Sequence, residues 1–476
     1  MNTRRSTLSA LASIMGLLAC GGDGATDPPP RFAPGLTISD VPATDTIEAI
    51  ALAPISIALA DGNGTPLAAA RIDLRVLAAT APDSSIFFAP SSRGPFLPNT
   101  FVVTDPSGRA SVWLLRGTRA GSTVIEFASG SAGRDTIEFV VEPGAARRLV
   151  GVPSDTAMVI GDTFTVPVAV LDRHDNVRAQ HPISITAEAP LVAIGGTIVG
   201  TAFGRAGFVL SASPLSATGL ISVVPDGVLA GANNRGIEVF GTDGSSVVRL
   251  TDPNSAEWIT WHPDGTEIAF GGGAIKPLSI VNMQGQSRLV TDPRFGDMWA
   301  PQFSPDGQFI YFSAQIFATQ RYRIARARRD GSGVEFVPGL DTVTAYEPAP
   351  SPDGRLLYRV DDALVLRNLS TGVSTRLPFN GYSPRWTADG SRFSYFDATD
   401  RSLWTALADG SGRTRLPGQI PGVLGELAYS TDWTRDQRYI FASSTRGQPY
   451  VFEVATGTVV PLPFRAAWKS VAWRAR

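Results

Sequence analysis

The residues able to do chemistry in this 476-residue chain are few and scattered. Three histidines occur, His174, His181 and His262, and one cysteine, Cys20. No Gly-x-Ser-x-Gly turn offers a serine nucleophile, and no α/β segment is present to carry one. Paired carboxylates for glycoside cleavage would have to face one channel, which spacing alone does not arrange. Asp61, Asn63, Asp172 and Asp175 group oxygen donors as a calcium loop does, but no bidentate glutamate completes such a loop. Turns in which a carboxylate accepts nearby backbone N–H groups account for them more simply. The expectation is a protein that is not an enzyme, with no catalytic residue, cofactor or metal.

Aromatic residues recur at Trp258, Trp299, Tyr346, Tyr382, Tyr429 and Trp468, as a ring that could stack on sugars or grip a peptide. Most lie four residues before another, usually aromatic, position, which places both on one strand face and favours packing. The ligand-binding residues are left unassigned. Arg321, Arg323, Arg326, Arg328 and Arg329 fall on both faces of one segment, as expected of a solvated outer strand.

The elements that must position these residues are strands. Glycine (48) and proline (36) are abundant, and the hydrophobic content is 43%. Beyond the N-terminus no stretch sustains the three-and-four spacing of an amphipathic helix, so the chain reads all-β. The net charge of −2 provides no field for nucleic acid, and lysine occurs only at Lys276 and Lys469.

Arg4 and Arg5 precede an apolar run, Leu8 to Leu18, that is shorter than the ~20 residues a membrane-spanning helix needs. Leu17-Leu18-Ala19-Cys20 resembles the lipobox of bacterial lipoproteins. The resemblance implies that residues 1–19 are a signal peptide and that Cys20 is lipidated as the first mature residue, anchoring the chain to a membrane. Thr3-Arg4-Arg5-Ser6-Thr7-Leu8 has twin-arginine character, so Sec and Tat export both stay open. Residues 20–30, glycine-rich and then Pro28-Pro29-Pro30, form a tether. Gly21 after the cysteine favours the outer membrane.

Two passages repeat between residues 31 and 225. Ile55 to Leu59 runs into Asp61-Gly62-Asn63-Gly64 and returns at Ile72; Val166 to Val170 runs into Asp172-Arg173-His174-Asp175-Asn176 and returns at Ile183. Thr104-Asp105-Pro106-Ser107-Gly108 and Thr201-Ala202-Phe203-Gly204 follow. This order resembles bacterial Ig-like domains of the invasin and intimin kind, which implies β-sandwiches at 31–143 and, more degenerate, 144–225, acting as spacers.

From residue 226 a turn recurs: Trp261-His262-Pro263-Asp264-Gly265, Phe303-Ser304-Pro305-Asp306-Gly307, Pro350-Ser351-Pro352-Asp353-Gly354, Trp386-Thr387-Ala388-Asp389-Gly390 and Trp433-Thr434-Arg435-Asp436-Gln437. Proline presets the first corner, aspartate accepts local N–H bonds, and glycine takes the left-handed position. An apolar strand follows each turn, and further strands complete four-stranded units of propeller-blade length. Ser470-Val471-Ala472-Trp473 is expected to pair with the first unit and close a ring of six, although Val224-Pro225-Asp226-Gly227 offers another start. The repeat resembles the TolB-like (WD40-like, PD40) β-propellers, without the α/β domain that precedes the propeller in that family.

Together these readings predict a lipid-anchored envelope protein with two Ig-like sandwiches and a six-bladed propeller at 226–476. It is expected to bind an envelope protein or peptide, such as a peptidoglycan-associated lipoprotein, without catalysis. A glycan-binding adhesin and a propeller enzyme with channel carboxylates are the alternatives.

Overall fold

The computed structural model describes residues 35–41, 44–79, 86–233, 236–251, 256–271, 277–416, 427–444, 447–464 and 470–475. Cys20, the signal peptide, the tether and Trp468 lie outside the described residues. Regular structure among those described is strand throughout, apart from one 3-10 turn at Gly130–Ala132. The chain divides into two compact units, Met1–Ala145 with Asp172–Asn176, and Ala146–Leu171 with Val177–Arg476.

In the first unit, Ile55, Ile57 and Leu59 alternate with more exposed neighbours and point into a core shared with Ile72, Leu74, Phe88, Val112, Phe127 and Phe139. Period-two burial of this kind is what a sheet with one wet face requires. A sheet of four strands (Gly35–Ser39, Ile55–Ala60, Arg109–Arg116, Ile86–Ala89) and one of five supply those residues. The Asp61 carboxylate accepts the N–H groups of Asn63 and Thr65 at 2.8 and 2.9 Å. Asp172 does the same for His174 and Asn176 at 2.8 and 3.0 Å. Both act as turn formers. No group of three or more histidine, cysteine or acidic residues is placed to hold a metal among the described residues.

The second unit opens with a sheet of Asp155–Val159, Leu215–Val224, Gly204–Ala212 and Ser184–Ala187. Met158, Leu191, Ile198, Phe208, Leu210, Ile221 and Val223 form its core. Six further sheets follow. In the first, Val228–Asn233 pairs on one side with Gly236–Gly241 and on the other with the C-terminal strand Ser470–Arg474, Leu229 opposite Trp473. The second to sixth sheets begin with Trp258–Trp261, Phe295–Phe303, Tyr346–Pro350, the end of Ser374–Trp386, and Leu427–Trp433. Ser374–Trp386 is one 13-residue strand that ends the fourth sheet and begins the fifth, where the repeat led one to expect two strands.

The fourth and fifth sheets are continuous through that strand, and apolar clusters bind each sheet to its neighbours. Ala230 and Ala472 of the first sheet meet Ile259 and Trp261 of the second. Later clusters join the second sheet to the third, and so on to the sixth. Phe441 and Val451 of the sixth then meet Leu229, Phe240 and Val471 of the first. Burying each Val, Leu, Ile or Phe side chain of these clusters contributes about 1.5–3 kcal/mol, which explains why neighbours in sequence become neighbours in space. The first strands also adjoin one another in this order, ending where they began.

The preceding sheets of the same unit are packed onto the sixth sheet. Val224 belongs to the cluster of Tyr439 and Leu462, the rings of Phe203 and Tyr439 lie 4.9 Å apart, and the Ser222 hydroxyl donates to the Pro461 carbonyl at 2.8 Å. Apolar and hydrogen-bonded contacts therefore join residues on either side of 225/226.

Candidate functional site

The turns orient the first strands. In the third sheet the Ser304 hydroxyl donates to Asp306 at 2.5 Å, Asp306 accepts the Gln308 N–H at 3.0 Å, and Gly307 adopts φ +70°. The fifth copy keeps this geometry with Gln437 at φ +60°.

Upstream of the turns the first strands are kinked in a repeated way. One extra residue is inserted between Trp299 and Gln302, between Tyr346 and Ala349, and between Tyr382 and Arg385. Ala300, Glu347 and Ser383 within these bulges have φ of 50°, 55° and 52°. Backbone strain of this kind costs about 1–3 kcal/mol per residue and gathers at functional sites. A bulge flips everything beyond it to the other face. Trp299 therefore leaves the side of Phe303, which is buried between sheets, although four residues separate them. Trp258 lies only three residues from Trp261 in an unbulged strand, with the same result. The shared face expected at four-residue spacing does not form at Trp299, Tyr346 or Tyr382.

The outcome is an aromatic group at the start of the first strands. Trp258 and Trp299 lie 5.1 Å apart, and Trp299 stands 5.9 Å from Tyr322 and 6.2 Å from Tyr346. Tyr322 and Tyr346 are 5.3 Å apart, and all four rings are half-buried. Tyr382 packs instead on Phe396 at 5.5 Å, and the side chain of Tyr429 lies outside the described residues.

Acidic groups lie beside the rings. Asp297 accepts the Tyr322 hydroxyl at 2.9 Å through Oδ2, while its Oδ1 is buried with no hydrogen-bond partner among the described residues. Burial, reinforced by the charge of Glu257, raises the Asp297 pKa. Burial and Asp297 together push Tyr322 up to about 12. Arg359 lies 4.7 Å over the Tyr346 ring and donates to Glu347 at 3.2 Å. Glu347 also accepts the Ser383 N–H at 2.9 Å; its burial raises its pKa.

Further along the first strands, polar side chains span between sheets. Arg385 of the fifth sheet donates to the Ile259 carbonyl of the second at 3.3 Å. Gln302 of the third donates to the Pro384 carbonyl at 2.9 Å. Asp432 accepts the N–H groups of Trp473 and Trp433, both at 3.0 Å. Burial lowers the Arg385 pKa and raises that of Asp432, each opposed by the charge of the other.

The arginine-rich stretch has internal partners. Arg323 is buried and donates to the Asp341 carbonyl and the Thr344 hydroxyl, and Arg326 pairs with Glu335. Arg329 reaches Glu267 and Asp264 at 2.9 Å. His262 is likewise a turn residue, its Nε2 3.1 Å from the Gly307 carbonyl. His174 and His181 contact Glu48 and the Ser213 carbonyl respectively, so the three histidines do not converge.

No protein-family model matches the chain. An uncharacterized protein of Agrobacterium fabrum is 29% identical over 203 residues, covering 36% of this chain and 67% of that protein. Among solved structures, the chain is similar to TolB from Acinetobacter baumannii, with TM-score 0.45 and 14% identity over 62% of this chain and 83% of that one. A nidogen/laminin complex gives TM-score 0.43 and 9% identity over 52% and 98% of the two chains. A chain described as TolB from Agrobacterium tumefaciens gives 0.39 and 15% over 53% and 99%.

Proposed function

We propose that this chain is a lipid-anchored cell-envelope protein, acylated at Cys20, in which the six sheets are the blades of a propeller that binds a protein or peptide without catalysis. The sandwiches at 31–143 and 144–225 are read as Ig-like domains that hold the propeller away from the membrane. The observation that carries the binding role is the group of half-buried rings, Trp258, Trp299 and Tyr346 of three first strands with Tyr322 of a third strand. Aromatic side chains presenting large area at low entropic cost are typical anchors of binding sites. Further along the first strands Arg385 and Gln302 bridge sheets and hold these strands in place. Glu347 and Asp432 are occupied by the N–H groups of Ser383 and Trp473, which suits structural carboxylates better than an acid–base pair.

The test is a crosslinking pull-down from intact envelopes with the wild type, Cys20→Ala and Trp299→Ala/Tyr346→Ala. A peptidoglycan-associated lipoprotein or another envelope protein captured by the wild type and lost with the ring variant supports the reading. Equal capture by the ring variant contradicts it. A glycan is the second reading, favoured by the polar Asp297 and Tyr322 beside tilted and edge-on rings; retention on a glycan array, lost in Trp299→Ala, would select it.

A further inference from the structure

Carboxylates stand beside the ring group. Asp297 lies behind Tyr322 with one oxygen buried and lacking a hydrogen-bond partner among the described residues. Glu257 is close enough for its charge to act on Asp297. Arg359, the cation over the Tyr346 ring, is already engaged by Glu347. A π face backed by a carboxylate, one of whose oxygens has no hydrogen-bond partner among the described residues, attracts a cation through the ring quadrupole and the charge together. The same surface contains an internal example, since the Arg359 guanidinium already stands 4.7 Å over Tyr346.

We infer that the site formed by Trp258, Trp299, Tyr322 and Asp297 takes a cationic side chain, a lysine or arginine of the bound polypeptide. The inference rests on the peptide-binding reading and specifies its ligand. The bulges are what make the site: they turn Trp299 and Tyr346 away from the apolar clusters and set them beside a carboxylate on the same strand or its neighbour.

The experiment uses the full mature chain and four capped tripeptides, Ac-Ala-X-Ala-NH2 with X lysine, arginine, norleucine or glutamate, with chitotriose as a neutral stacking probe. Binding is read by tryptophan fluorescence and calorimetry. The lysine and arginine peptides are expected to bind at least tenfold more tightly than the norleucine and glutamate peptides and chitotriose. Asp297→Asn should remove that preference, and Tyr322→Phe, which keeps the ring, should retain most of it. Thermal melts of both variants establish that they fold. Equal binding of norleucine and lysine peptides, or an unchanged preference in folded Asp297→Asn, overturns the inference. If the charge preference is absent but Trp299→Ala still loses its envelope partner, the inference fails and the binding reading stands. If lysine binds here but the partner is captured equally by Trp299→Ala, the binding reading fails instead.

Discussion

The Asp432 carboxylate accepts the main-chain N–H of Trp473 at 3.0 Å, tying the first strand of the sixth sheet to the strand that completes the first. The adjoining Ser430 hydroxyl and the N–H and carbonyl of Val471 bond at 3.0 and 3.1 Å. Trp261 of the second sheet reaches the Ala472 carbonyl from the other side at 3.2 Å. The C-terminal strand is therefore held by side chains from both neighbouring sheets as well as by its own ladder.

Asp432→Ala removes the acceptor of the Trp473 and Trp433 N–H groups and should destabilise the second unit by at least about 1–3 kcal/mol. Because the Asp432 charge also favours the Arg385 guanidinium against the effect of burial, the loss in Arg385→Met/Asp432→Ala should differ from the sum of the single losses by about 0.5–3 kcal/mol. Urea unfolding of the four proteins measures both; additive losses would show that the two charges do not act on each other.

Substitutions in the turns should separate backbone strain from collision. A Cβ at Gly307 (φ +70°) would come 2.3 Å from His262 Nε2, whereas at Gly354 (φ +80°) it would meet nothing within 4 Å. Gly354→Ala should cost only the left-handed strain, about 1–2 kcal/mol, and Gly307→Ala distinctly more. Gln437→Gly, which relieves φ +60°, should stabilise by about 0.5–1 kcal/mol. Thermal melts rank the three, and equal losses at Gly307 and Gly354 would be against this account.

Sequence periodicity revealed these turns because each uses residues with a fixed conformational role, and Ser470–Trp473 was recognisable as the missing first strand of the set. The ring group was only half visible. Trp258, Trp299 and Tyr346 stand at recurring positions, but their faces depend on bulges that simple alternation cannot register. Tyr322 comes from a third strand, and Asp297 and Arg359 are single charges without a motif. Their approach follows from strand pairing, a non-local event. The 225/226 junction was opaque for the same reason: Phe203 and Tyr439 meet across 236 residues of chain.

Acid should weaken the fold through the turn carboxylates. Ser304 holds the Asp306 pKa down, Arg355 that of Asp353, and the Ser391 N–H that of Asp389. A depressed folded pKa gives stability that is present above the unfolded value, near 3.8, and lost as pH falls through the folded value. Melting temperature should thus decline below about pH 4. The triple variant Asp306→Asn/Asp353→Asn/Asp389→Asn should decline less steeply, and an identical acid slope would exclude these groups as the cause.

The central claim is that ligands meet the ring group and not the outer strands. Its most direct test places a photo-crosslinking amino acid at Tyr346 or, as a control, at the exposed outer residue Val373, and irradiates intact envelopes. The account predicts one discrete adduct from position 346, weakened by Trp299→Ala, and none shared with position 373. No adduct at 346, or the same adduct from both positions, would contradict it.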